Sequence, residues 1–103
     1  MATPFDVTWM PDCIRGISEL GRRVDLPLRH RLREVVLEAD ARLKEAARTW
    51  GDPVSDLRGM RVTLFARPYV RDGLSVRYAV HVDRPVVFVH RIDAIPGGPF
   101  DVS

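Results

Sequence analysis

The stretch LSVRYAVHV-DR-PVVFVHRI, residues 74–92, decides the fold of this chain. It predicts a β-hairpin, because two runs rich in valine flank the polar pair Asp83 and Arg84, which suits a tight turn. Pro85 lies at the first position of the second run, where its missing N–H does not interrupt a sheet.

The side-chain pattern of the hairpin predicts which positions are buried. Every second residue of the first arm is apolar, and these residues share one face of a strand: Val76, Tyr78, Val80 and Val82. The opposite face carries Ser75, Arg77 and His81. The second arm is apolar throughout residues 86–89, which predicts a strand with neighbours on both sides and cover on both faces.

Length and composition indicate one globular domain spanning residues 1–103. The chain has 103 residues, of which 46% are hydrophobic, enough for a core of its own. A single cysteine, Cys13, excludes an intrachain disulfide and a cysteine-rich metal site, and it favours a reducing, cytoplasmic compartment. No apolar run is long enough for a membrane span, and residues 1–5 lack the regions of a signal peptide.

Positive charge is concentrated in the second half of the sequence. The formal net charge is only +2, yet residues 58–91 contain seven arginines against Asp72 and Asp83. This excess favours an anionic partner, either nucleic acid or an acidic protein segment. Scattered arginines are also typical of a solvated sheet face.

The first half of the chain predicts a strand and two helices. Residues 5–10 alternate apolar and polar side chains, with Phe5, Val7 and Trp9 toward the core. Pro11 and Asp12 open a short helix that ends at Gly21. The buried face of this helix is predicted to comprise Ile14, Ile17 and Leu20.

A second, longer helix is predicted from Asp25 and Pro27 to Gly51. Its apolar residues recur at three- and four-residue spacing over about 24 residues, which is typical of an amphipathic helix. These residues are Leu28, Leu32, Val35, Val36, Ala39, Leu43, Ala46, Ala47 and Trp50.

The remaining segments complete a two-layer arrangement. Residues 51–59 are predicted as a polar loop, and residues 60–66 as a strand with Val62 and Leu64 inward. The glycine- and proline-rich residues 93–103 are predicted as a loose tail after a core of about residues 5–92. The fold class is therefore α+β, in the order β-α-α-β-β-β, with a helical hairpin on a mainly antiparallel four-stranded sheet.

This order resembles the RelE/ParE superfamily of toxins from type II toxin–antitoxin (plasmid stabilization) modules. The opening VTWMP, residues 7–11, with Glu19-Leu20 in the following helix, is similar to the start of that family. The hairpin GLSVRYAV, residues 73–80, and VVFV, residues 86–89, resemble its final strands. The similarity covers about residues 5–92.

The resemblance implies a toxin that is silenced by a cognate antitoxin protein. RelE-like members cleave mRNA on the ribosome without a metal, whereas ParE-like members poison DNA gyrase. Ser75 occupies a position where several members carry an arginine, and no basic residue with a tyrosine follows Ile92. These departures favour the ParE-like branch, or a non-toxic binding module of the same fold, over the RelE-like nuclease.

The candidate site residues are basic. Arg61, Arg77, Arg91 and His81 are the catalytic candidates if the chain is a nuclease, because cations stabilise charge on a phosphate and histidine transfers protons near neutral pH. The candidate residues for binding nucleic acid or another target are Arg61, Arg67, Arg71, Arg77 and Arg91. The alternative interpretation is that these are solvated side chains.

Other reactive residue types are interpreted as structural. Tyr78 shares the apolar face of its strand, and Cys13 has no histidine close in sequence. The histidines lack the spacing of a metal site, and no cofactor motif is present. Three hypotheses remain: a ParE-like toxin that binds its target, a RelE-like ribonuclease, and a non-toxic binding module of the same fold. The sequence does not determine the oligomeric state.

Overall fold

The computed structural model describes residues 4–101 and forms two layers, a helical hairpin on a five-stranded sheet. The strands are β1 (Asp6–Trp9), β2 (Asp52–Leu57), β3 (Val62–Tyr69), β4 (Leu74–His81) and β5 (Val86–Ala94). The helices are α1 (Pro11–Arg23) and α2 (Leu26–Trp50), with a short 3-10 helix at Arg58–Met60. The α+β class and the helical hairpin on a sheet are confirmed, but the sheet has five strands and not four.

The sheet has the order β1-β5-β4-β3-β2. β4 pairs antiparallel with β3 and with β5, and β1 pairs parallel with β5, in a register that joins Asp6 to Val86. The predicted hairpin is therefore the middle of the sheet, and both of its strands have neighbours on either side.

β2 replaces the predicted polar loop at 51–59. It pairs antiparallel with β3, and all six of its residues are exposed. An edge strand of this kind is held by backbone hydrogen bonds, which polar residues make as well as apolar ones. Pro53 is tolerated because one side of an edge strand is unpaired.

The core lies between the helices and one face of the sheet. From α2 it takes Leu32, Val35, Ala39, Leu43 and Ala47, all predicted. The predicted inward residues Val76, Tyr78 and Val80 are at most 1% exposed, whereas Val82 lies beyond β4 and is exposed. Burying such side chains removes apolar surface from water and supplies most of the stability of a domain.

Two predicted core positions in β3 lie on the wrong face. The register pairs Phe65 with Tyr78 and Leu64 with Ala79, so Phe65 faces the helices and Leu64 faces away from them. Val62 and Leu64 are only partly buried, because no helix covers that side. For the same reason β5 is not covered on both faces, and Phe88 is 36% exposed.

α1 also differs from the sequence prediction. It continues through Gly21 to Arg23, and its fully buried residue is Cys13. Ile14, predicted to be buried, is 52% exposed. Asp25 caps α2 as expected, since its carboxylate accepts a hydrogen bond from the Leu28 N–H at 3.2 Å.

The tail is ordered against the core, in contrast to the predicted loose end. β5 runs on to Ala94, the Ile95 N–H donates to the Gly73 carbonyl at 2.8 Å, and Phe100 is only 1% exposed. Gly73 has φ +68° and has no side chain, so Gly98 and Pro99 of the tail can pack directly against the turn before β4. The last two positions of the predicted tail, 102–103, are outside the described residues.

Tyr78 ties the end of α2 to the centre of the sheet. Its hydroxyl donates to the Ala47 carbonyl at 2.7 Å and accepts from the Gly51 N–H at 2.8 Å. Its ring stacks on Phe65, with centroids 5.2 Å apart. These bonds satisfy the buried hydroxyl and two backbone groups at the helix end.

Candidate functional site

The sheet face turned away from the helices carries an apolar depression of about 510 Å³. We call it the sheet-face depression. Strands β2 to β5, the 3-10 helix and the residue before α1 all contribute to it. Its lining comprises Met10, Leu57, Met60, Val62, Leu64, Ala79, Phe88, His81 and His90.

One end of the depression is lined by His81, and beyond it lies the ion pair of Arg61 with Asp83. His81 Nδ1 accepts the backbone N–H groups of Asp83 and Arg84 at 3.1 and 3.2 Å. Because that nitrogen closes the turn, it is not free to take a proton from a substrate. Arg61 has φ 55° after the 3-10 helix.

Beyond the other end lie two arginines that share one aspartate. Arg77 and Arg91 are paired across β4 and β5, and their Nε atoms lie 3.1 and 2.5 Å from the two oxygens of Asp93. His90 is the extra residue of a bulge at this point. Burial, together with Arg77 and Arg91, lowers the pKa of His90, which favours the neutral form of its imidazole.

The structure does not bring the other candidate arginines to this face. Arg67 lies on the helix side, where its guanidinium donates to the Trp50 carbonyl at 2.9 Å and lies over the Trp50 ring. Arg71 is in the exposed turn between β3 and β4. Of the five candidate arginines, only Arg77 and Arg91 are neighbours.

The two tyrosines are bonded within the fold. Burial raises the pKa of Tyr78 to about 12. Burial and the hydrogen bond of its hydroxyl to Glu38, at 3.0 Å, raise the pKa of Tyr69 to about 12. Neither phenol therefore has the pKa of a proton acceptor near pH 7. Burial likewise raises the pKa of Cys13, which makes its thiol a poor nucleophile.

We expect the tyrosines to ionise late in an alkaline titration. An unfolded chain ionises near the ordinary value of 10.0, whereas the native protein does so at about 12. The free energy of unfolding should therefore fall as pH rises above about 10. Near-ultraviolet absorbance checks the ionisation, and the Tyr69→Phe variant separates the two groups. Native Tyr78 ionising with the ordinary pKa would contradict this assignment.

A second apolar surface lies on the helical side. It is the groove between α1 and α2, lined at its centre by Ile17, Val36 and the exposed Ile14 and Leu37. Leu37 is 61% exposed, and no residue of the described chain covers it. We call this surface the helical groove.

A metal site and a membrane-spanning helix each have requirements that residues 4–101 would have to meet. No three His, Cys, Asp or Glu side chains of that range are grouped so that they could hold a metal ion. None of its helices is long and apolar enough to cross a membrane.

Sequence reasoning missed the sheet-face depression. A signal was present, because the continuous apolar run 86–89 and the alternating 62–64 together supply more apolar residues than one buried face needs. With only two helices, a domain of this order covers one face of its sheet. The surplus is therefore exposed.

The two-layer arrangement defines a class of proteins. A helical hairpin on a mainly antiparallel sheet is the arrangement that the sequence resemblance implied, and here the parallel strand β1 forms one edge of the sheet. A chain in the crystal structure of the toxin–antitoxin complex RelBE2 from Mycobacterium tuberculosis is similar to this one, with a TM-score of 0.61 and 17% sequence identity. The match covers 91% of this chain and 94% of that chain. No protein-family model and no curated protein sequence matches the chain.

Proposed function

We propose that this chain is the toxin component of a type II toxin–antitoxin module. It acts in the cytoplasm, arrests growth by binding a macromolecular target in the manner of ParE, and is neutralised by an antitoxin protein. The fold it shares with a chain of RelBE2, described as a toxin–antitoxin complex, supports the general assignment.

The single observation that favours binding over RNA cleavage is the apolar centre of the open sheet face. Cleavage requires free cations where charge develops on the phosphate, with a group to move the proton of the attacking hydroxyl. Here Leu64, Ala79 and Phe88 occupy the centre, and the arginines at both ends are paired with aspartates.

The second candidate is a RelE-like, metal-independent endoribonuclease. One observation favours it: the neutral imidazole of His90 lies beside Arg77 and Arg91, which is a general base next to two cations. Asp93 offsets half of that positive charge. The two candidates differ in whether the arginines are essential.

Expression of the chain alone and with its neighbouring open reading frame tests the proposal. We expect growth arrest that the neighbour relieves, together with trapped DNA breaks and intact mRNA. The double variant Arg77→Ala, Arg91→Ala should still arrest growth, because the apolar centre of the face supplies most of the contact with the target. If the chain is a nuclease, removing these charges should reduce cleavage by about 100-fold or more. The absence of arrest by wild type would favour the non-toxic module.

The helical groove is the proposed binding site of the antitoxin. An amphipathic segment with an apolar stripe fits between two helices that expose Ile14 and Leu37. We expect Leu37→Glu to keep arresting growth in the presence of the antitoxin, because a buried carboxylate in the interface is costly. Leu26→Glu is the matched control, since Leu26 is 57% exposed at the start of α2 and does not line the groove. Equal neutralisation of both variants would place the antitoxin elsewhere.

A further inference from the structure

The sheet-face depression is unusual for the outer face of an antiparallel sheet. Such a face normally alternates to polar residues where it meets water. Here Leu57, Leu64, Ala79 and Phe88 come from four neighbouring strands and continue one apolar surface. Exposed apolar residues gathered into one depression, rather than scattered singly, are typical of interaction sites.

The two methionines at the border make the surface adaptable. Met60 is 70% exposed and Met10 is 38% exposed. Unbranched thioether side chains fill irregular gaps and repack against different partners. They line the depression together with Ala79, Leu64 and Phe88.

The dimensions fit one helix. Four adjacent strands at 4.7–4.9 Å spacing span about 14 Å. An α-helix rises 1.5 Å per residue, so an apolar stripe from position i to about i+10 covers the same length. Three or four apolar side chains of such a stripe would lie along the depression.

Charge indicates the chemistry of the partner. Three arginines lie just beyond the ends of the depression, against two aspartates: Arg61, Arg77 and Arg91, with Asp83 and Asp93. The arginine pair on Asp93 retains one positive charge, because two guanidinium groups share a single carboxylate. An apolar stripe with acidic flanks is complementary to this surface, whereas a phosphate backbone would lie over an uncharged centre.

We infer that the sheet-face depression receives an amphipathic helix of the target protein, with its apolar stripe on Met60 and Phe88 and its acidic residues on the arginines. The inference rests on the proposed function in one respect, that this helix belongs to the target through which growth is arrested. The antitoxin segment in the helical groove is a separate contact on the opposite side of the molecule.

A synthetic 18-residue amphipathic peptide of leucine and glutamate is the probe for the surface. With methyl-labelled methionine, we expect the NMR signals of Met10 and Met60 to move on addition of this peptide. Met60→Glu should weaken binding about 10-fold or more, because it places a carboxylate in the apolar contact. Val70→Glu should not, because Val70 is 78% exposed in a distant turn. The same peptide with lysine for glutamate should bind more weakly.

Three results would overturn the inference. One is that the leucine–glutamate peptide moves neither methionine signal. Another is that single-stranded RNA moves both signals and the peptide does not, which would make the surface a nucleic-acid site. The third is a wild-type dimer in sedimentation that Met60→Glu converts to monomer, which would assign the surface to a second copy of the chain.

Growth assays separate this inference from the proposed function. If wild type arrests growth and Met60→Glu does not, while Val70→Glu still does, both stand. If wild type, Met60→Glu and Val70→Glu arrest growth equally, the toxin assignment stands, and the sheet-face depression is not the binding site of a target helix. If wild type causes no arrest, the toxin assignment falls, and the peptide titration alone decides the surface. Unfolding curves of the variants establish that each one is folded.

Discussion

Replacing Phe100 by alanine should lower the free energy of unfolding by about 3–5 kcal/mol. The side chain is 1% exposed and belongs to the hydrophobic core, so its removal loses burial and leaves a cavity. The effect is expected although Phe100 belongs to a segment that the sequence predicts to be loose. Urea or guanidinium unfolding measures it.

Phe88→Ala is the matched control for the tail. It removes the same side chain from a regular strand, but Phe88 is 36% exposed on the open face, so we expect a clearly smaller loss than for Phe100. A loss at Phe100 equal to or below that at Phe88 would mean that the tail does not close the core.

The second large effect is expected at Gly51. A Cβ at this position would lie 2.7 Å from the Tyr78 hydroxyl and 3.1 Å from the Ala66 carbonyl. Gly51→Ala should therefore destabilise the protein by about 1–3 kcal/mol through overpacking. A further loss follows if the Gly51 N–H separates from the Tyr78 hydroxyl, because both groups are buried.

The same glycine-to-alanine substitution at Gly16 should stabilise the protein instead of destabilising it. Gly16 is inside α1, and an added Cβ would meet nothing within 4 Å. Alanine favours a helix interior by about 0.5–1 kcal/mol over glycine, so thermal unfolding should move upward. Stabilisation by both substitutions would show that α2 does not end against Tyr78 as described.

The helices and the central hairpin could be predicted because their signals are local. The spacing of Leu32, Val35, Ala39 and Leu43 predicts one face of α2, and the structure buries that face. In β4 the alternation of Val76, Tyr78 and Val80 similarly predicts the buried side. Each of these patterns can be recognised within a single helix or strand from the spacing of its apolar residues.

The errors arose where burial depends on what lies opposite. Val62 and Leu64 alternate as a buried strand would, and only the number of covering helices shows that their side is open. β2 has no apolar period, because an edge strand is defined by backbone pairing. The tail contains no periodic element, and its burial depends on one aromatic side chain and the space at Gly73.

The candidate site could be predicted only in part. The excess of arginines in residues 58–91 is visible in the sequence, but their salt bridges with Asp83 and Asp93 depend on strand register. Register places Arg77 beside Arg91 and sends Arg67 to the helix side. A count of charges therefore gives the sign of the surface potential and not the positions of the groups.

The parallel pairing of β1 with β5 has a consequence for biosynthesis. Asp6 pairs with Val86, so β1 has no strand partner until the ribosome has translated β2, β3, β4 and the start of β5. Translation proceeds at about 5–20 residues per second, which leaves Val7 and Trp9 without their strand partners for several seconds. Nascent chains cut short before Val86 should therefore be the species that chaperones and proteases recognise.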